Sequence, residues 1–348
     1  MEMPKQTEAI LSSLPQPAFI AEDGIITQIN TAAAQHFAQI GMAVADLITT
    51  GKEEYDSFHS GSLYLTLCLA GTQYPCQVSA LQEGQLFVIQ EDSAQAELQT
   101  LALASLQLNM PVSELSLLID SLPDIPAEQK AKLRQNLFRL RRILGNMADA
   151  SQLCTSQPRL TGCDLCAELE EALEKARTLL AQNGISLSYS LPDHQIYSTA
   201  APELLRRAIY NLLSNAAKFS SAGGHIEASV RHTGRRVLVS VTGKCENAAF
   251  TDANIFSRYT RQPGLEDPRL GLGLGMTLIH AAASAHGGTV LVEKLPQSKL
   301  RITMTLVVRQ NTAGDFRSPV LIPDIYCGFD QALIELSDVL SSQSYLDM

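Results

Sequence analysis

Asn211, Asn215 and Lys218 fall within the run NLLSNAAKFS. Spacings of four and three place all three side chains on one face of a helix. An amide oxygen is a neutral, hard ligand, suited to a Mg²⁺ ion that keeps several waters and phosphate oxygens. A lysine beside it adds a point charge for phosphate. Alone the pattern is weak, because an asparagine on a helix is usually a cap or an exposed residue. About fifty residues on, RLGLGLGMTL carries Gly271, Gly273 and Gly275 ahead of another helix. Closely spaced glycines let backbone N–H groups approach phosphate, and the following helix N-terminus favours anions. The run does not fit the P-loop pattern, and the dinucleotide fingerprint requires a preceding strand in a βαβ unit. Taken together and in this order, the two segments point more firmly to a phosphate-bearing ligand than either does alone.

Other reactive side chains are less informative. Cys163 and Cys166 form a CxxC (TGCDLC), but a zinc site needs about four ligands and no second pair has ligand spacing. Two cysteines flanking a helix start is the simpler reading. Seven cysteines in 348 residues do not make a disulfide framework. His36 and His59 could in principle ligate haem, but a lone histidine is more often a surface or core residue. His194, His225, His232 and His280 lie outside any motif.

The elements that must position these groups follow from size and patterning. A chain of 348 residues accommodates two or three domains. Hydrophobic content of 45% with 18% charged residues is globular. A net charge of −10 argues against nucleic acid or an anionic membrane as the main partner. The opening MEMPKQTEAIL lacks the basic start and apolar core of a signal peptide. No run approaches the ~20 apolar residues of a membrane span, so a cytoplasmic protein is the expectation.

Residues 8–90 mix short apolar strands with turns, including AFIAEDGIITQIN as two strands about an Asp-Gly turn. An antiparallel sheet with helices on one face fits them. Over 92–157 the pattern changes. Leu98, Leu101, Ser105, Leu108, Val112, Leu115, Ile119 and Leu122 recur at heptad spacing. Pro123 and Pro126 mark a break, and Leu133, Leu137, Leu140, Leu144 and Met147 continue the seam. One such antiparallel hairpin buries too little, so two pairing into a four-helix bundle predict a homodimer. Residues 159–310 alternate helix and strand signals, as an α/β sandwich does. Residues 311–348 form a tail in which FDQALIELSDVLSS could make one amphipathic helix, docked or solvated. The fold class is α+β multidomain.

Residues 159–310 resemble the ATP-binding domain of sensor histidine kinases. NLLSNAAKFS is similar to that family's N box, Ile255 to Arg261 to its F box, and GLGLGMTLIHAAASAHGG, through His286-Gly287-Gly288, to its G box. The hairpin resembles the dimerisation and phosphoacceptor domain, and residues 8–90, on pattern alone, a PAS sensor domain. The resemblance implies that Asn215 binds Mg²⁺, with Asn211 and Lys218 supporting the phosphates of ATP. It also implies that Gly271, Gly273 and Gly275 form the hinge and phosphate edge of an ATP lid. A response regulator or another kinase is the implied partner.

The chain departs from the family at two points. The phosphoacceptor segment runs roughly S-H-E-L-R-x-P-L, whereas this chain has SLQLNMPVSEL. With Ser105 and Pro111 aligned, the histidine position is Leu106, the adjacent base position is Gln107, and the residue four after the histidine is Met110. Leucine has no lone pair to attack phosphorus, and Gln107 cannot take a proton. No histidine occurs from Ser60 to Asp193, so no shift of register restores one. The family's D-x-G-x-G segment is replaced as well. Its aspartate falls at Gly243 and its glycines at Cys245 and Asn247, with Asp252 too far along to substitute. Losing a charged acceptor for the adenine amino group costs about 1.5–3 kcal/mol, or about tenfold to a hundredfold in affinity. Three expectations follow: a degenerate kinase acting as a dimeric scaffold, an enzyme that passes phosphate to a partner as related anti-sigma-factor kinases do, or a purely protein-binding regulator.

Overall fold

The computed structural model describes residues 11–346 apart from 12, 13, 15, 36, 37, 82, 90–92, 123, 124, 156, 157, 221, 222, 246–273 and 310–328. The chain is α+β. It begins with β1 (Ala18–Glu22), β2 (Ile25–Ile29), α1 (Thr31–Gln35), α2 (Val44–Leu47), β3 (Ile48–Thr50), α3 (Lys52–Asp56), β4 (Ser62–Leu69), β5 (Thr72–Ala80) and β6 (Gln85–Ile89). Asp23 and Gly24 both take positive φ between β1 and β2, which suits the right-handed twist of a two-residue hairpin. Phe19 and Phe87 stack at 4.6 Å in a core that also holds Ile26, Val44, Leu65 and Val78.

Two long helices follow, α4 (Ser93–Ser121) and α5 (Ala127–Thr155). They pack as a hairpin through Ser105, Val112, Leu137, Leu144 and Met147, all buried. Only part of the heptad seam is used in this way. Leu108, Leu115, Leu122, Leu133 and Leu140 remain exposed, and so do Leu103, Leu106, Met110 and Leu117.

The remainder comprises β7 (Thr161–Asp164), α6 (Leu165–Ala181), β8 (Ser186–Ser190), β9 (Tyr197–Ala200), α7 (Pro202–Phe219), β10 (His225–Thr233), β11 (Arg236–Lys244), α8 (Leu274–Ala285), β12 (Val290–Leu295) and β13 (Lys299–Val307). α6 begins at Asp164, whose carboxylate accepts from the Cys166 N–H at 3.0 Å, an N-cap. The CxxC thus straddles a strand end and a helix start. Burial and the neighbouring carboxylates of Glu168 and Asp164 push the Cys163 thiol up to about 11, which keeps it protonated at neutral pH. Helices α6, α7 and α8 bury their apolar faces in one core with β10 to β13, and among the described residues no helix is long and apolar enough to cross a membrane.

The sheet is the main departure from the sequence reading, which treats the N-terminal strands and the α/β sandwich as separate layers. Among the described residues the strands join into one eleven-stranded sheet, ordered β2-β1-β6-β5-β4-β12-β13-β11-β10-β8 with β3 beside β4. The joint is antiparallel pairing of β4 with β12, with Val290 opposite Tyr64 and Val292 opposite Ser62. Arg236 reaches across it to pair with Glu53 at 2.8 Å and with Glu54. Strand pairing between segments more than two hundred residues apart leaves no local mark in sequence.

The tail differs from expectation too. Its described residues form a short helix, α9 (Gln331–Glu335), and a 3-10 turn over Ser342–Tyr345. Ala332, Ile334, Glu335, Leu336, Ser337, Leu340 and Tyr345 are all buried. A long amphipathic helix would keep one wet face. This segment is enclosed on several sides, so its backbone turns after Glu335 to seat both polar and apolar side chains.

The sheet joint rests on one glycine. Gly61 has φ +87°, and a Cβ there would sit 2.2 Å from the Val292 carbonyl oxygen. Gly61→Ala therefore forces β4 and β12 apart and strains the backbone. The expected result is a destabilisation of roughly 1–3 kcal/mol, with thermal unfolding splitting so that the N-terminal strands melt separately. A single transition at the wild-type midpoint would show that the joint is unimportant.

Candidate functional site

Pro202 stands in the first turn of α7, where a missing N–H costs nothing. Leu204, Leu205, Ala208, Ile209, Leu212 and Leu213 bury one face of that helix. Along the edge of that face, Asn211, Asn215 and Lys218 point towards α8 and the tail. Gly275 near the start of α8 lets the two helices approach, since a Cβ there would lie 3.0 Å from Asn211 Oδ1 and 3.9 Å from Asn215 Oδ1. The Asn215 side-chain N–H donates to the Met276 thioether at 3.4 Å. The structure thus brings Asn211, Asn215 and Gly275 together. Gly271, Gly273, the segment Ile255 to Arg261, Asn247 and Asp252 lie outside the described residues.

Gly243, where the sequence reading expects the counterpart of an adenine-binding aspartate, sits on β11 against α7, where a Cβ would come within 3.2 Å of the Ala216 Cβ. Cys245 continues that strand end, its N–H donating to the Ser298 carbonyl at 2.7 Å. On the hairpin, Leu106 is 65% exposed, while Ser105 beside it is fully buried. Gln107 is exposed, as is Met110.

Several residues that pattern reading did not single out share this site. The Glu335 carboxylate is fully buried. It accepts from Arg207 Nε at 2.8 Å and from Asn211 Nδ2 at 3.1 Å, and lies 3.6 Å from Arg142 Nε. Arg142, from α5, also donates to Asn211 Oδ1 at 3.1 Å and to Asp338 at 2.5 Å. Asp338 accepts from Lys218 at 2.6 Å as well. Asn211 and Lys218 are therefore engaged by the tail and the hairpin in this conformation. A faint signal for this lay in the sequence: an arginine-rich RLRR on the second hairpin helix, and two carboxylates three apart within ALIELSDVL of the tail.

The comparisons with known proteins follow from this geometry. Residues 200–310 match the family described as histidine kinase-, DNA gyrase B- and HSP90-like ATPase. The chain is 28% identical over 249 residues to the adaptive-response sensory kinase SasA of Synechocystis, covering 64% of each protein. It is 26% identical over 199 residues to the sensor histidine kinase YcbM of Bacillus subtilis, covering 54% of this chain and 63% of that one. Over these spans the chain is similar to sensor histidine kinases. To the alginate biosynthesis sensor protein KinB of Pseudomonas aeruginosa it is 30% identical over 217 residues, 59% of this chain and 36% of KinB. The chain thus spans less than two-thirds of each of these proteins. Among solved structures, full-length ShkA in complex with AMPPNP superposes with a TM-score of 0.50 at 19% identity, covering 61% of this chain and 47% of that one. That likeness speaks to the fold alone.

The last residue of the matched motifs with a defined role is His286, after α8. Its Nε2 accepts from the Ala201 N–H at 3.0 Å and its Nδ1 lies 2.7 Å from the Ala282 carbonyl. Only the neutral ring protonated on Nδ1 satisfies both. Burial holds its pKa below the usual histidine value, so a proton on Nε2 would face another donor. Stability from this residue is complete above the unfolded value of about 6.5 and is lost as pH falls through the lower folded value. Chemical unfolding at a series of pH values should show a decline below about pH 6.5 that is flattened in His286→Gln. An identical decline in both proteins would remove His286 from the explanation.

Proposed function

We propose that this sensor histidine kinase-like protein is a dimeric two-component signalling scaffold that binds Mg-ATP without phosphorylating itself on histidine. The observation that carries this reading is Leu106. It stands at the phosphoacceptor position and is 65% exposed, as an acceptor would have to be, yet it has no nucleophile. The adjacent Gln107 has no basic group, and no histidine lies on either hairpin helix.

ATP binding is supported by the ATPase family match and by the donor set. Asn215 supplies a neutral amide oxygen, Lys218 a cation, and Gly275 leaves a gap that a Cβ would fill. This combination fits Mg²⁺ and a phosphate chain. When bound, Mg²⁺ would supply charge neutralisation to the phosphate chain. Asn215 would hold it from α7, Asn211 and Lys218 would support the phosphates, and Gly271, Gly273 and Gly275 would border them. Gly243 in place of an aspartate weakens recognition of the base.

The exposed leucines of α4 and α5 support dimerisation. Leu103, Leu106, Met110 and Leu117 lie along α4 at helical spacing with nothing covering them, and a second hairpin would bury them in a four-helix bundle. In this reading residues 8–90 are a PAS-like sensor, 92–157 the dimerisation hairpin, 159–310 the ATP-binding domain and 311–348 an appended tail. A cytoplasmic location agrees with it. A response regulator, or another kinase pairing through the hairpin, is the partner. The retained Asn211, Asn215, Lys218 and Gly275 favour a second reading, in which phosphate passes to an acceptor on a partner protein.

Protein incubated with labelled ATP and Mg²⁺ should gain no acid-labile, base-stable phosphate; its appearance would sink the scaffold reading. Calorimetric titration should detect Mg-ATP binding that Asn215→Ala weakens about tenfold or more. Equal affinity in both proteins would remove Asn215 from the site.

A further inference from the structure

The tail is welded into the crevice between hairpin and ATPase domain, and two of its carboxylates, Glu335 and Asp338, lie on cations of the candidate nucleotide site. Three cations meet there: Lys218 and Arg207 from α7, and Arg142 from α5. Glu335 and Asp338 are the anions facing them. Lys218 is the residue assigned to phosphate, and its ammonium lies 2.6 Å from Asp338. Asn211 is tied at both ends of its amide, by Glu335 and by Arg142.

The surrounding contacts hold these carboxylates in place. Phe138 of α5 packs edge-on against Phe329 at 5.3 Å and Tyr345 at 5.1 Å. Gln135 donates to the Leu340 carbonyl at 2.6 Å and Arg139 to the Ser337 carbonyl at 3.2 Å. From the ATPase side, Lys175 pairs with Asp330 at 2.7 Å, and Asn183 accepts from the Ser341 N–H at 2.5 Å.

We propose that residues 329–346 are an intramolecular strap whose Asp338 and Glu335 stand in for nucleotide phosphates, so that tail and nucleotide compete for the α7 cations. The argument is electrostatic. Three cations in a crevice of low exposure need anions. The tail supplies two carboxylates, and a polyphosphate is the alternative of the same sign and hydrogen-bonding type. Both cannot hold Lys218 in a single bond geometry, and a phosphate beside Asp338 would meet like charge. Because Arg142 belongs to the hairpin, strap release also loosens the contact between hairpin and ATPase domain. Nucleotide occupancy is thereby converted into a change of domain packing without any phosphoryl transfer. The inference rests on the reading of Asn215 and Lys218 as nucleotide ligands.

The test uses the full chain. Asp338→Asn keeps the shape of the side chain and removes its charge from Lys218. Its fold is checked by circular dichroism, and its Mg-ATP affinity is measured by calorimetry. We expect affinity to rise about tenfold. In the wild-type protein, hydrogen exchange across 330–346 should speed up when Mg-ATP is saturating. Equal affinity in both proteins, with tail exchange unchanged by nucleotide, would overturn the strap while leaving the nucleotide site standing. No nucleotide binding by either protein would overturn both. If Asp338→Asn does not fold, the wild-type exchange experiment decides alone: faster exchange supports the strap and unchanged exchange overturns it.

Discussion

A carboxylate with no solvent exposure governs the arrangement of this molecule. Taking Glu335 out of water is tolerable only because two guanidinium groups and an amide receive it. Those partners come from different places. Arg142 belongs to the second hairpin helix, Arg207 and Asn211 to the helix that faces the candidate nucleotide site. Buried ion pairs of this kind contribute little net stability over an apolar packing, but removing one partner leaves an uncompensated charge and costs several kcal/mol. Their effect is to fix geometry. Of the ways a hairpin could rest against an ATPase domain, this one satisfies Glu335.

Small residues allow that geometry to close. Gly145 on α5 lies where a Cβ would come 3.2 Å from an Arg207 guanidinium nitrogen, so the hairpin helix can pass over the arginine without displacing it. Gly275 does the same for Asn211 from the other side. The ATPase domain is then held at two separated places. Strand β12 ties it to the N-terminal strands by main-chain hydrogen bonds, which are insensitive to ionic strength. The tail ties it to the hairpin through charges, which respond to whatever anion is present.

Local features of this architecture were legible in the sequence and long-range ones were not. The Asp23-Gly24 turn, the heptad hairpin and the alignment of Asn211, Asn215 and Lys218 all depend on spacings within a few turns or one strand pair. The periodicities of 2 and 3.6 encode such spacings directly. The seam also hinted that one hairpin has more apolar surface than it can cover, and the exposed Leu108, Leu115 and Leu122 are that surplus. The β4–β12 joint and the engagement of Asn211 by Glu335 depend instead on residues brought together from far apart. In the tail, FDQALIELSDVLSS suggested one amphipathic helix, which would keep a wet face. Enclosure between two domains gave a short helix buried nearly all round, because both sides of the segment found partners.

The hairpin and the tail bear on each other through Leu106. Phosphoryl transfer to a side chain requires nucleotide and acceptor to approach within about 3–3.5 Å, so an ATPase domain that served α4 would have to travel to it. Here the tail binds the domain to α5, through Arg142, Arg139, Gln135 and Phe138. In a chain with a reactive histidine on α4, such a tether would oppose the chemistry whenever it held. On the proposed reading, with leucine at that position, there is no reaction to oppose. Under the proposal, the polar groups that would otherwise present a phosphate for transfer would respond to whether a nucleotide or the tail occupies them. On the proposed reading, a leucine at the acceptor position and a tail that holds the domain against α5 are therefore compatible in one molecule, because the tether has no phosphoryl transfer to obstruct.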